Sequence, residues 1–213
     1  MIRVDILSDP ICPWCYIGKA GMERALAGRT APPVAISWHP FRLNPDMPPG
    51  GMDRRAYLET KFGGPRRAAE VYAHIAERAE EAGLMLNLAA IERTPDTLDA
   101  HRLIHWAGLE GRQGAVVAAL FAAYFERGRD ISRHNVLLEI AEGAGMDRAA
   151  TARLLASDAD RAEIAAADTE SRRRGVSGVP TFIIAGRHVV TGAQPAAFWA
   201  QVFDEITQDR GTP

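Results

Sequence analysis

Ile11-Cys12-Pro13-Trp14-Cys15 is the stretch on which the fold of this 213-residue chain depends, because it holds both of the chain's cysteines. The residues before it, 2–7, are mostly apolar and β-branched, which predicts a buried strand. The residues from 13 to 29 predict a helix, and proline suits the first helical position because its φ is already set and no N–H partner is needed there. Cys12 is therefore expected where a strand ends and a helix begins.

A Cys-x-x-Cys pair at such a junction is the arrangement of thioredoxin-like redox proteins. The helix N-terminus presents free backbone N–H groups and the positive end of the helix dipole, and both favour the thiolate, which is the nucleophilic form of cysteine. We therefore interpret Cys12 as the attacking nucleophile. Cys15 lies one turn further along, more sheltered and close enough to form a disulfide with Cys12, so we expect it to be the resolving cysteine.

Three other interpretations of the pair are less well supported. A structural disulfide across a two-residue gap would close a very small loop and give little entropic stabilisation. A zinc site needs about four ligands and usually a second cysteine pair, which the chain does not have. Two inert core cysteines would have no reason to be spaced in this way.

Composition limits the classes of function. Hydrophobic residues make up 47% of the chain, enough for one large domain or two lobes with separate cores. The formal net charge is −2, so we expect neither nucleic acid nor an anionic membrane as a partner. No apolar run approaches the ~18 residues that span a bilayer. The N-terminus lacks a basic segment followed by an apolar one, so we expect no signal peptide and, if this start is native, a cytoplasmic protein.

The predicted elements follow the order β-α-β, a helical block, then α-β-β-α. The strands are expected at 2–7, 34–41, 179–185 and 188–191, and the helices that flank them at 13–29, 158–174 and 195–208. The block between them predicts helices at 53–62, 65–82, 95–109, 112–127, 132–144 and 147–156, with Asp53, Ser132 and Asp147 as N-caps. The breaker cluster Asn44-Pro45-Asp46-Met47-Pro48-Pro49-Gly50-Gly51 marks the boundary. We predict a thioredoxin-like domain from 1–48 plus 158–213, with 49–157 as an inserted helical domain.

A second part of the site is expected at Val179-Pro180. Proline cannot donate to a sheet ladder, so this dipeptide fits the start of a strand. In a fold of this type the preceding loop lies beside the redox helix, where the main chain of Val179 could pair with an extended substrate. We therefore expect Val179 and Pro180, together with Pro13 and Trp14 beside the nucleophile, to bind substrate.

Four segments carry a resemblance to a known family. They are Cys12-Pro13-Trp14-Cys15-Tyr16-Ile17-Gly18-Lys19, Phe41-Arg42-Leu43-Asn44-Pro45, Asp99-Ala100-His101-Arg102-Leu103 and Gly175-Val176-Ser177-Gly178-Val179-Pro180-Thr181-Phe182. In this order they resemble the FrnE-like branch of the DsbA family of thioredoxin-fold oxidoreductases. The resemblance implies an α/β thioredoxin-like fold with a large all-helical domain inserted, dithiol–disulfide exchange, and a cis peptide bond before Pro180. It also implies disulfide-containing or dithiol proteins, or small thiols, as substrates.

Two departures from the family pattern matter. Exported DsbA proteins carry histidine where Trp14 stands, so a strongly oxidising folding catalyst is not implied. The family is also similar to 2-hydroxychromene-2-carboxylate isomerases and kappa-class glutathione transferases, which have serine where Cys12 stands. Both cysteines are present here, which argues against a glutathione-dependent isomerase or transferase, and we keep that class as the alternative. A holdase whose cysteine pair only senses oxidants is a third hypothesis. We expect no tightly bound cofactor, with glutathione as a candidate redox partner.

The remaining polar residues receive structural interpretations. His101 and His105 have a spacing that can bind metal on a helix, but no third ligand accompanies them. We expect no metal and interpret them as a lobe-interface or surface pair. Asp9 is expected in an exposed loop and His39 in a structural role. Trp14 is interpreted equally as a substrate platform or as a cover for the cysteine pair.

Overall fold

The computed structural model describes residues 1–29 and 33–209. Its six strands are β1 Ile2–Ser8, β2 Val34–Pro40, β3 Met52–Asp53, β4 Arg93–Thr94, β5 Thr181–Ile184 and β6 His188–Thr191. Its α-helices are α1 Pro13–Leu26, α2 Arg54–Phe62, α3 Pro65–Glu81, α4 Leu98–Leu109, α5 Gln113–Phe121, α6 His134–Gly143, α7 Arg148–Leu155, α8 Arg161–Arg173 and α9 Ala196–Asp209. Residues 210–213 of the predicted segment 158–213 lie outside the described residues.

A four-stranded sheet in the order β2-β1-β5-β6 forms the centre of the fold. Strand β1 is parallel to β2, with Ile2 opposite Val34, and antiparallel to β5. Parallel neighbours need a crossover connection, which α1 supplies between β1 and β2. A strand in the middle of a sheet is covered on both faces, which explains why six of the seven residues of β1 are buried. This is the α/β class predicted from the sequence.

Helix α1 begins as predicted, with Cys12 as its N-cap and Pro13 in its first turn. It lies very close to the segment that leads into α9. A Cβ atom added at Gly21 would stand 2.3 Å from the carbonyl oxygen of Gln194, so only glycine permits this approach. The close packing holds the helix that carries both cysteines firmly against the C-terminal part of the chain.

Aromatic side chains connect α1 to the helical block. The ring of Tyr16 stacks on that of Phe121, with centroids 5.0 Å apart and planes 7° apart, and its hydroxyl donates to Glu126. Phe121 ends α5 and is followed by a π-helical turn, Ala122–Glu126. Helix α1 is thus packed against the block as well as against the C-terminal part of the chain.

The helical block differs from the prediction in several places, among them the start of α4 at Leu98 rather than at 95. It contains a short antiparallel pair, because Met52 of β3 pairs with Thr94 of β4. Asp53 and Asp147 are N-caps as predicted, but Ser132 is not. Its hydroxyl donates to the carboxylate of Asp130, and Arg133 is the N-cap instead, so α6 begins one residue later, at His134.

Helix α8 also begins later than predicted, at Arg161 rather than 158, because Asp160 adopts a positive φ of 58° that interrupts the helix there. In chain order the helices α2–α7 lie between β2 and α8. The division of the chain into 1–48 plus 158–213 and 49–157 remains a prediction. Within the part of the chain that the structure describes, no helix is both long and apolar enough to cross a bilayer.

Candidate active site

The two cysteines lie at the beginning of α1 as free thiols. The carbonyl of Cys12 accepts from the backbone N–H groups of Cys15 and Tyr16, at 3.1 and 3.3 Å, which places both sulfurs on the first turn. The Cys12 thiol donates to the carbonyl oxygen of Val179 at 3.6 Å. Only 3% of Cys12 is exposed, so its sulfur is reached through the pocket that it borders.

Cys15 lies behind Cys12 and is more deeply buried. Burial raises the pKa of the Cys15 thiol well above its ordinary value, and the neighbouring Cys12 adds to this shift. Hydrogen bonds from the Ser8 side chain and the Asp9 backbone oppose it. The two thiols therefore have unequal environments, with Cys12 on the pocket wall and Cys15 shielded behind it.

The loop before β5 forms the opposite side of the site. The Val179–Pro180 peptide bond is cis, and Pro180 is buried against α1. A Cβ atom added at Gly18 would stand 3.1 Å from Cγ of Pro180. This close approach brings the loop that contains Val179 to the cysteine pair, although Cys12 and Val179 are 167 positions apart in the chain.

A pocket of about 240 Å³ opens in front of Cys12. Four of the six sequence-predicted site residues line it, namely Cys12, Pro13, Trp14 and Val179. Cys15 and Pro180 do not line it, and Pro180 borders a larger groove instead. The remaining lining residues include Leu43 and a set from α2 and α3, namely Arg54, Tyr57, Leu58, Lys61, Phe62, Val71, Tyr72 and Ile75.

Trp14 is half-buried on the wall of this pocket. Its ring centroid is 5.6 Å from that of His74 on α3, with the planes tilted by 52°. An aromatic face beside the nucleophile can contact an apolar part of a substrate and can also shield the cysteine pair. Both interpretations of Trp14 therefore fit its position.

A larger groove of about 800 Å³ lies on another side of the sheet. It runs from Arg3 and Asp5 on β1 past His39 to the loop that ends at Pro180. Nε2 of His39 lies 2.8 Å from Asp5, which agrees with the structural role expected for this histidine. No cysteine lines the groove, although Val179 and Pro180 contribute to its wall.

Sequence reasoning missed Arg54, the first residue of α2. It is buried, and its guanidinium donates to the hydroxyls of Thr94 at 3.1 Å, Tyr124 at 3.0 Å and Tyr72. Burial raises the pKa of the Tyr72 hydroxyl, and nearby Cys12 adds to that shift. The only signal in the sequence was a helix start after the cap Asp53, and this does not indicate where the arginine points.

The expectation for Asp9 was wrong, because this residue is fully buried. Its carboxylate accepts from the backbone N–H groups of Leu43 at 2.7 Å and Ile11 at 3.3 Å. Burial raises its pKa to about 6, and these hydrogen bonds limit the shift. Asp9 therefore anchors the loop that leads into Cys12 to the segment after β2.

His101 is also buried, so it is not a surface residue, and its Nε2 lies 3.8 Å from Asp9. Burial, and then the charge of Arg42, lower the pKa of His101 to about 3, so the imidazole is neutral at pH 7 and the two groups form no ion pair there. Residues 1–29 and 33–209 contain no cluster of three or more His, Cys, Asp or Glu side chains arranged to hold a metal.

A cysteine pair at the N-terminus of the first helix, in contact with a proline loop that leads into a central β-sheet, defines a thioredoxin-fold protein. The chain matches the family model of the DSBA-like thioredoxin domain over residues 3–204, and it belongs to that family. The predicted fold, a thioredoxin-like fold with a helical insertion of the DsbA type, is thereby confirmed.

Several known proteins have similar chains. The crystal structure of a probable DsbA oxidoreductase from Streptomyces coelicolor is 32% identical, with a TM-score of 0.88 over 100% of this chain and 92% of the other. The cytosolic disulfide reductase DsbM from Pseudomonas aeruginosa, in its structure with GSH, is 21% identical with a TM-score of 0.68 over 97% and 99% of the two chains. The uncharacterized protein YwbO of Bacillus subtilis (strain 168) is 28% identical over 90% of each chain.

Proposed function

We propose that this protein is a thiol–disulfide oxidoreductase that reacts through Cys12 and Cys15. The observation that carries the proposal is the position of Cys12. Its sulfur stands at the N-terminus of α1 on the wall of a pocket, 3.6 Å from the carbonyl of Val179, with a second thiol one turn behind it. A single nucleophile would not need this second, shielded cysteine.

The proposed reaction has two steps. The Cys12 thiolate attacks one sulfur of a substrate disulfide, forms a mixed disulfide, and releases the other sulfur as a thiolate that takes a proton from solvent. Cys15 then loses its proton and attacks the sulfur of Cys12, which releases the second substrate thiol. The substrate gains two electrons and two protons, and the protein is left with a Cys12–Cys15 disulfide. The reverse sequence oxidises a dithiol.

Pro13, Trp14, Val179 and Pro180 are proposed to bind the substrate around the nucleophile. The main-chain N–H of Val179 donates to no other residue in the described part of the chain, so it is available to an extended substrate. Proposed substrates are disulfide-containing or dithiol proteins and small thiols, with glutathione as a candidate partner because the similar DsbM structure contains GSH. We further propose a cytoplasmic location and membership of the FrnE-like branch.

The alternative, a glutathione-dependent isomerase or transferase, would use the same pocket but needs only one reactive group. Cys15 is directly behind Cys12 and close enough to interact with it, and this favours exchange. A titration with glutathione separates the two hypotheses. Saturable binding that is unaffected by Cys15→Ser, without any exchange activity, would favour the isomerase.

The experiment that tests the proposal is the reaction of the reduced protein with a small disulfide. The wild type should release two thiols for each protein molecule and end as an intramolecular disulfide. Cys12→Ser should release none, whereas Cys15→Ser should stop at a mixed disulfide that mass spectrometry detects on Cys12. Thiol release by Cys12→Ser at the wild-type rate would refute the proposal.

A further inference from the structure

A buried positive charge without a carboxylate partner lies on the wall of the Cys12 pocket. Only 7% of Arg54 is exposed. Its hydrogen-bond partners are the hydroxyls of Thr94, Tyr72 and Tyr124, all of them neutral. The guanidinium also lies 5.2 and 5.7 Å from the ring centroids of Tyr72 and Tyr124, and these contacts bring no net negative charge.

Other buried arginines of the protein are paired. Arg42 forms an ion pair with Asp96 at 2.6 Å, and Arg102 forms one with Asp99 at 2.8 Å. No carboxylate in the described ranges, 1–29 and 33–209, forms an ion pair with Arg54. Because an unpaired buried charge is unfavourable, an anion from outside the chain would stabilise Arg54.

The hydrogen bonds of Arg54 leave two of its five N–H hydrogens without a partner among the described residues. Nη1 donates to Thr94 and Tyr124, and Nη2 uses one of its two hydrogens on Tyr72. Nε is buried and has no partner. In an arginine, Nε–H and the neighbouring Nη2–H form the edge through which a carboxylate can be bound by two parallel hydrogen bonds.

The charges around the pocket agree with an anionic ligand. The lining contains two cationic side chains, Arg54 and Lys61, and no aspartate or glutamate. The ammonium of Lys61 donates to the hydroxyl of Tyr57 at 2.7 Å and stands at the exposed side of the pocket. A carboxylate that enters would therefore meet only positive charge on the way to Cys12.

We propose that Arg54 binds a carboxylate of the molecule whose disulfide or thiol reacts at Cys12, so that the protein selects carboxylate-bearing small disulfides and thiols over neutral ones. This inference rests on the proposed exchange reaction and names its substrate class. The pocket volume of about 240 Å³ accommodates a small molecule or the end of a peptide. Arg54 is then the residue that sets specificity, while Cys12 performs the chemistry.

The test compares two disulfides that differ only in charge, 3,3′-dithiodipropionate and its neutral diamide. The rate of oxidation of the reduced protein by each is divided by the rate of its reaction with dithiothreitol, which corrects for intrinsic reactivity. The wild type should prefer the dicarboxylate by about tenfold or more, as expected for a charge-assisted hydrogen bond.

Three variants assign the preference to Arg54. Arg54→Met should lower the ratio of the two corrected rates, dicarboxylate over diamide, at least about fivefold. Arg54→Lys keeps the charge but loses the two-pronged geometry, so it should retain part of the preference. The matched control is Arg55→Met, because the next residue has a side chain 89% exposed and should leave the preference unchanged.

The outcomes separate this inference from the proposed function. If neither disulfide oxidises the wild-type pair, the proposed function fails. Equal corrected rates with both disulfides, or an unchanged preference in a folded Arg54→Met protein, would overturn the assignment of Arg54 alone. Should Arg54→Met not fold by circular dichroism, the wild-type preference together with its reduction in Arg54→Lys decides the question.

Discussion

Replacing His101 by leucine should make the protein less sensitive to acid. Burial lowers the pKa of this histidine from 6.5 to about 3, whereas the unfolded chain keeps the ordinary value. Below pH 6.5 the unfolded state therefore binds a proton that the folded state does not, so stability falls as the pH drops. The free energy of unfolding that His101 removes in this way is about 2 kcal/mol at pH 5 and about 5 kcal/mol once the pH has fallen below 3.

The assay is urea denaturation of the wild type and His101→Leu at pH 7.5 and pH 5.0. The loss of unfolding free energy between the two pH values should be about 2 kcal/mol smaller in the variant. At pH 7.5 the substitution should be tolerated, because Nε2 of His101 has no hydrogen-bond partner to lose. Ile104→Val, on the same helix α4, is the control, since it changes packing without removing a titratable group. An equal pH dependence in His101→Leu and the wild type would refute the reasoning.

Three further predictions concern buried contacts. The pKa of Asp9 is raised to about 6 in the folded protein, so the free energy of unfolding falls as the pH rises from about 4 and the buried carboxyl ionises. In urea denaturation, Asp9→Asn should abolish about 2 kcal/mol of that fall between pH 4 and pH 7. The same pH dependence in the variant and the wild type would contradict this prediction. Gly21→Ala forces the new Cβ toward the carbonyl oxygen of Gln194 and should lower the midpoint of thermal unfolding by roughly 5 °C. Gly143→Ala is the control, because open space surrounds that position and its midpoint should not fall. Equal midpoints in the two variants would show that the close contact between Gly21 and Gln194 tolerates a methyl group. Arg102→Met removes a fully buried guanidinium that donates to three main-chain carbonyls. It should reduce the free energy of unfolding by about 3 kcal/mol, measured by urea denaturation. A loss below about 1 kcal/mol would mean that these hydrogen bonds contribute little to stability.

Much of the fold could be predicted because its signals are local. The run of apolar residues in β1, the proline in the first turn of α1 and the caps Asp53 and Asp147 act within a few residues of the chain. The switch from helices back to strands near Val179 was visible for the same reason. Ser132 shows the limit of such signals, because a neighbouring carboxylate competed for its hydroxyl and moved the helix start.

The candidate site could be predicted only in part. The spacing of Cys12 and Cys15 and the strand that follows Pro180 indicated where the chemistry would lie, and four of the six predicted residues line one pocket. The second wall of that pocket comes from α2 and α3, and no local pattern shows how these helices pack. Arg54 and the burial of Asp9 were therefore outside the reach of the sequence.

By itself, the amino-acid sequence determined that Cys12 stands where a strand ends and a helix begins, because residue type and spacing set backbone conformation over short distances. Tertiary structure alone decided which groups surround that sulfur. Burial and hydrogen bonding depend on segments far apart in the chain, and they turned Asp9 into an internal anchor and Arg54 into an unpaired cation. Whether the pocket accepts a carboxylate depends on those long-range contacts, while the presence of a thiol pair does not.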